Sequence, residues 1–216
     1  MGDQLSIFAV AGLSAGALSL IDPIPYVRDV RRGRTRPHRG THLIWCVLGV
    51  TVLLSQLADG ATWSLAMVGA QAVATTVTFG LSIRNGEGGV GRADVAMLLL
   101  AAAAVAGWRL SSQPVVATGF VVVADAIGVG LMLPKTWRNP WSETLSTFVL
   151  ATAAGALGVV AVGALDPALM LYPVYFAGAN GLTAAVIGVR RAALVAARAP
   201  RWVSVAATGA TGSRTP

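Results

Sequence analysis

Apolar residues fill seven long blocks of this chain, separated by short polar or basic segments. The blocks run approximately over Leu5–Tyr26, Thr41–Ala58, Thr62–Ile83, Ala93–Trp108, Pro114–Leu133, Thr144–Gly163 and Ala168–Val189. Each is close to the ~20 residues that a helix needs to cross a bilayer. The fourth is the shortest, a plain run of Leu and Ala. Tight turns at Asp59-Gly60 and Asp166-Pro167 join the second block to the third and the sixth to the seventh. The pattern predicts an all-α membrane protein with seven transmembrane helices.

Two of the blocks read alike. WSLAMVGAQAVATTVTFG (Trp63 to Gly80) and YPVYFAGANGLTAAVIGV (Tyr172 to Val189) align at a separation of 109 positions. Gly69 then falls on Gly178, Ala70 on Ala179 and Val77 on Val186, and the amide Gln71 falls on the amide Asn180. The same separation puts Pro25 on Pro134. Blocks one to three thus match blocks five to seven, with a register slip of about seven residues in blocks two and six, and block four is left over. An odd linker helix lets two three-helix units lie parallel, in a 3+1+3 bundle with a site between the halves. The units are 1–83 and 113–191, the linker with its loops is 84–112, and 192–216 is expected to be a disordered cytosolic tail.

Composition supports the membrane reading. The chain has 216 residues, 55% hydrophobic and 12% charged, roughly half the ~25% charged content of a soluble domain. The net charge of +7 does not point to nucleic acid, because the basic residues lie between the apolar blocks. Arg28, Arg31, Arg32, Arg34, Arg36 and Arg39 fill the first loop, Arg84 and Arg92 the third, and Lys135 and Arg138 the fifth. Arg190, Arg191, Arg198, Arg201 and Arg214 follow the last block. Fifteen of the sixteen Lys and Arg residues fall on one side of a seven-span topology, with Arg109 on the other. Basic loops stay cytoplasmic, which puts the N-terminus outside and the C-terminus inside. The first block has only Asp3 ahead of it and does not read as a secretory signal peptide. One cysteine and two histidines offer no disulfide framework and no metal or haem set, so neither a metal nor a cofactor is expected.

The 3+1+3 order, the outside N-terminus and the prolines near the inner ends of blocks one and five resemble the SWEET and PQ-loop superfamily. The segment LPKTWRNPWSETLSTFVLATAAGALG is similar to the second repeat of bacterial SWEET-like proteins. The resemblance runs from Leu5 to Arg191. The Pro-Gln pair of PQ-loop proteins is replaced by Pro25-Tyr26 and Pro134-Lys135. The resemblance implies a small-solute transporter or facilitator in a bacterial plasma membrane, acting on a sugar or similar polar solute. It also implies substrate contact by an Asn in span seven, where Asn180 matches. The span-three equivalent is Gln71, so substrate identity does not carry over.

The residues themselves yield a short set of candidates. Gln71 and Asn180 lie midway along apolar helices, where an unpaired amide costs several kcal/mol, so each is expected to face the bundle interior. They serve either as a substrate pair or as helix–helix glue. Gly69, Gly178 and Gly181 beside them would permit close approach. Asp125 sits mid-span in VVVADAIGVG; an acidic group there is functional by default, or else is tied to a hydroxyl such as Ser14 or Thr147. Asp22, beside Arg28 and Arg31, reads as a surface ion pair or cap. Trp45 and Thr147 correspond if the register slip holds, and would flank the pocket; Trp45 reads otherwise as an interfacial aromatic. Trp63, Trp108, Trp137 and Trp141 fall near span ends, as an aromatic belt does. Pro25 and Pro134 are candidate hinges, or simply helix ends. Gly12 and Gly16 form a GxxxG that marks either a homo-oligomer face or internal packing.

No His cluster, Ser-His-Asp order, metal spacing or phosphate loop supports an enzyme. A retinal sensor needs a lysine in span seven, and the sole lysine, Lys135, lies in a loop. A transporter working by alternating access leads, and a non-transporting scaffold or receptor with the same bundle is the alternative. The two differ in whether the space beside the amides is wet or filled.

Overall fold

A computed structural model describes residues 2–33, 37, 39–86 and 91–198. Among the described residues the chain is helical, apart from its turns, with α1 (Gly2–Ile21), α2 (Ile24–Arg31), α3 (Arg39–Ala58), α4 (Leu65–Asn85), α5 (Arg92–Ser111), α6 (Pro114–Arg138), α7 (Leu145–Val162) and α8 (Pro167–Arg198). Six helical segments are long and apolar enough to cross a bilayer: Ile7–Arg31, Arg39–Ala58, Leu65–Asn85, Pro114–Arg138, Leu145–Val162 and Pro167–Ala197. This is the signature of an integral membrane protein. The fourth block of the sequence differs: α5 is helical, but its described apolar stretch, Leu98–Ser111, is shorter than a full span.

Local chemistry sets the boundaries. Pro114 and Pro167 open their helices, where a missing N–H costs nothing. Asp166 caps α8, accepting from the N–H groups of Ala168 (2.8 Å) and Leu169 (3.3 Å) through Oδ1. Gly163 ends α7 at φ 71°, a backbone angle that glycine adopts without strain. The first span is not one straight helix. Pro23 and Pro25 remove two donors within three residues, so α1 stops at Ile21 and α2 starts at Ile24. The bend keeps partial continuity, since Asp22 N donates to Leu18 O (2.8 Å) and Val27 N to Pro23 O (2.8 Å). The seventh block is longer than expected. α8 continues to Arg198, so 192–198 is helix rather than tail; the remainder of the expected disordered tail, 199–216, lies outside the described residues.

The helices close into a ring. α1 packs on α4, α4 on α3, α3 on α6, α6 on α8, α8 on α7, and α7 back on α1; α5 lies against α3 and α6. Small side chains line the contacts, as they do where no hydrophobic driving force acts between helices in lipid. Ala15, Ala117, Ala124, Ala151, Ala154 and Ala161 are buried, while Ile7, Val10, Leu13, Leu54, Val73 and Leu182 face outward. The GxxxG of the first span is used internally: a Cβ on Gly12 would strike the Trp63 carbonyl just before α4, and one on Gly16 would lie 2.9 Å from Ala66 O in α4. Gly155 does the same between α7 and α8, with a Cβ 2.7 Å from Ala177 N. Gly178 differs from expectation, since a Cβ there meets nothing within 4 Å; at Gly69 and Gly181 it would make only ordinary contacts, 3.9 Å from Leu53 Cδ1 and 3.4 Å from Thr152 Cγ2. Gly155→Val is expected to destabilise the fold by about 1–3 kcal/mol through overpacking, whereas Gly80→Val, in open space, should be neutral. Equal melting temperatures for the two variants in detergent would contradict this packing.

The two ends of the ring carry different charge. At one end Arg39 Nε donates to Ser82 O (3.3 Å), Arg190 Nε to Trp137 O (3.0 Å), and Arg191 Nε to Pro140 O (3.1 Å). These bonds gather the loops rich in arginine. At the other end Ser55 Oγ donates to Pro114 O (2.6 Å) and lies 2.7 Å from Thr118 Oγ1, while Gln56 Nε2 reaches Ala168 O (3.4 Å). There Asp59 and Asp166 stand near each other, and burial together with the Asp166 charge pushes the Asp59 carboxyl above its ordinary range.

Candidate polar site within the helix ring

Polar groups in an apolar helix must satisfy themselves locally or meet a neighbour. Much of α4 takes the first course. Thr75 Oγ1 donates to Gln71 O (3.0 Å), Thr76 Oγ1 to Ala72 O (2.7 Å) and Thr78 Oγ1 to Ala74 O (3.0 Å). Asn180 does likewise: its Nδ2 donates to Phe176 O (2.8 Å), one turn back in α8. Gln71 takes the second course, and its Nε2 donates to Asp22 Oδ2 (3.0 Å). The two amides that sequence symmetry pairs are therefore not joined to each other.

Two carboxylates organise the interior instead. Asp22 was expected at the surface beside Arg28 and Arg31. It is 5% exposed, because the bend after Ile21 turns it toward α4. Gln71 holds its side chain, and Thr147 Oγ1 of α7 donates to its main-chain oxygen (3.0 Å). The second carboxylate is Asp125 of α6. Tyr175 of α8 donates its hydroxyl to Asp125 Oδ2 (2.7 Å), and the Trp45 side chain of α3 approaches the same carboxyl group. Neither Ser14 nor Thr147 is its partner. Trp45 is 36% exposed, yet its ring meets His42 edge-on at 5.3 Å, and His42 Nε2 lies 3.0 Å from the Tyr26 hydroxyl. Tyr172, buried among Met67, Val121 and Ala124, lies within electrostatic reach of both Asp22 and Asp125.

The two clusters have the same plan. Each carboxyl group receives a side-chain donor from a second element and has a polar side chain of a third beside its residue: the α1–α2 bend, α4 and α7 for Asp22, and α6, α8 and α3 for Asp125. Asp22 and Asp125, Gln71 and Tyr175, and Trp45 and Thr147 are separated by nearly the same stretch of chain, 102 to 104 positions. Sequence comparison of the halves at 109 positions finds the Trp45/Thr147 pair only through the register slip. It misses the carboxylate pair and Tyr175, because Asp125 then falls on Gly16. The signal that finds them is chemical: two acidic residues in apolar blocks, each needing a donor.

The candidate hinges occupy unlike positions. Pro25 lies in the first turn of α2, just past the bend, whereas Pro134 sits inside α6, which runs on to Arg138. Neither ends a helix. A third proline, Pro173, lies inside α8 one residue from Tyr172. Two clefts open on the bundle. One of about 580 Å³ is lined by Trp141, Thr144, Ser146 and Arg191 among others. The other, of about 590 Å³, is lined by Thr51, Leu54, Val105, Trp108, Arg109 and Ser112. Neither is lined by Gln71, Asn180, Trp45, Thr147 or Asp125.

Comparison with protein-family models, with curated proteins and with solved structures finds no match to this chain.

Proposed function

We propose that the protein is a SWEET-like transporter or facilitator for a small polar solute, working by alternating access. The observation that carries this is the matched pair of carboxylate clusters inside the ring. An intramembrane acidic group is costly to insert and is functional by default, and here two of them share one plan. The packing order supports a repeat as well. Exchanging α1, α3 and α4 for α6, α7 and α8 leaves every ring contact in place. In this reading α5 is a seventh span that links two parallel triplets, and the triplets rock about Tyr172. The break at Pro23–Pro25 and the prolines inside α6 and α8, Pro134 and Pro173, absorb the motion.

Orientation follows from the charged ends: the arginine-rich end is cytoplasmic, in a bacterial plasma membrane, and the N-terminus is outside. Cys46 is the only cysteine, so Cys46→Ser provides a clean background for labelling. Leu165→Cys, 92% exposed in the α7–α8 turn, should react with an impermeant maleimide in intact cells. Asn139→Cys should react only after lysis. The reverse pattern would defeat the topology.

One observation favours the alternative of a scaffold or receptor: Met67, Val121 and Tyr172 fill the space between the clusters. In the transporter reading this is the closed state. Uptake decides. Proteoliposomes holding the full chain would be offered labelled sugars, amino acids and vitamins. Saturable uptake, lost in a Gln71→Ala/Asp125→Asn variant that remains folded, supports the carrier. Absence of uptake across the panel supports the scaffold.

A further inference from the structure

The arginine-rich end holds a site that the central clusters do not use. Arg191, near the end of α8, is fixed by two carbonyls of the α6–α7 loop: Nε donates to Pro140 O (3.1 Å) and Nη2 to Glu143 O (2.7 Å). Its guanidinium stacks over the Trp141 ring at 5.9 Å, as Arg190 does over Trp137 at 5.2 Å. So held, Arg191 forms one wall of the cleft of about 580 Å³. Thr144 and Ser146 bring hydroxyls to the same cleft, and Leu145 and Val149 bring apolar surface. α7 begins here with no side-chain cap on its N-terminal N–H groups. Glu143 also lines the cleft, but Lys135 Nζ pairs with its Oε1 at 3.3 Å. Trp137 and Trp141 are about half exposed at this end, the depth at which aromatic side chains meet headgroups.

We propose that this cleft binds the headgroup phosphate of an anionic phospholipid, with one acyl chain lying along Leu145 and Val149. A fixed guanidinium with free N–H donors, two hydroxyls and an uncapped helix start suit a phosphate ester. The apolar floor, which continues onto the exposed flank of α7 at Val149, suits a lipid rather than a free phosphate. Neighbouring basic residues Arg190 and Arg138 add attraction for an anionic surface. Bound lipid would bridge the start of α7 to the end of α8 and strengthen the fastening that Arg191 already makes.

The test is thermal unfolding of the full-length protein in nanodiscs of phosphatidylcholine, with and without phosphatidylglycerol. The wild type should gain several degrees from phosphatidylglycerol. Ser146→Glu places a carboxylate in the cleft without touching the Arg191 bonds, and favours the helix start by charge, so the variant should fold yet lose the gain. Asn139→Glu adds the same charge on the adjoining loop outside the cleft and should keep it. Retention of the full gain in Ser146→Glu would overturn the proposal. Equal loss in Asn139→Glu would reduce the effect to general surface charge and overturn it too. An equal gain from inorganic phosphate in pure phosphatidylcholine would overturn the lipid assignment.

Discussion

Asp125→Asn is expected to cut saturable uptake by roughly 10- to 100-fold while leaving the protein folded. The substitution keeps side-chain shape and an oxygen that accepts from Tyr175, but it removes the group's capacity to gain and lose a proton. Loss of interactions worth about 1.5–3 kcal/mol gives this range, since each 1.4 kcal/mol is a factor of ten in rate. Any pH dependence of uptake should flatten in the same variant. Tyr175→Phe should move uptake in the same direction by a smaller factor, since Trp45 still reaches the carboxylate. Asn180→Ala should do little, because that amide is occupied by its own helix at Phe176 O. Wild-type uptake and an unaltered pH profile in Asp125→Asn would remove this carboxylate from the mechanism. If Asn180→Ala instead abolished uptake, the amide pairing that the sequence suggests would be restored.

How far the sequence carries can be seen residue by residue. The spans at Thr41–Ala58 and Pro114–Leu133 were legible because apolar length is a one-dimensional property, and proline or a basic residue marks where it stops. The use of Gly12 and Gly16 was half legible: their spacing announces a close contact, but not that α4 of the same chain supplies it. Asp22 was misread because its neighbours in sequence are arginines. In space, the paired prolines turn it off the helix axis toward Gln71, and a bend of this kind has no hydropathy signature. The same limit explains Asn180. Periodicity gives the depth of an amide in the bilayer, but a side chain can satisfy itself one turn back and never meet the residue across the ring. Tyr175 was passed over because an uncharged tyrosine within an apolar block carries no signal of its own, and only the approach of α6 to α8 gives its hydroxyl a carboxyl partner.

In the proposed transporter, the matched clusters also bear on how the ring would open. Asp22 ties α1 to α4 through its side chain and to α7 through its carbonyl, so it joins both triplets at the one broken span. Asp125 makes the corresponding tie from α6 to α8, with Trp45 of α3 beside it. If the triplets rock, the bonds within a triplet, Asp22–Gln71 and Asp125–Tyr175, survive the motion. The bonds across triplets, Thr147 to Asp22 O, Ser55 to Pro114 O and Thr118, and Gln56 to Ala168 O, are those that must break.

The Asp22–Gln71 bond separates a structural from a transport role. Gln71→Leu strips a buried carboxylate of its side-chain donor, and leaving such a group unsatisfied costs about 2–3 kcal/mol. For a protein of this size about 1 kcal/mol moves the melting temperature by roughly 2–4 °C, so a fall of about 5–10 °C is expected. Asp22→Leu/Gln71→Leu removes both partners at once. Two apolar side chains of similar size at a buried contact are close to neutral, and the double variant should recover most of the lost stability. It should not recover uptake, because the carboxylate is gone. Stability regained together with transport would mean that the pair only holds α1 to α4, and that Asp125 alone carries the polar chemistry of the ring. A double variant as unstable as Gln71→Leu would mean that Asp22 is needed for the bend itself, with Thr147 and the paired prolines unable to hold α1 and α2 in place without it.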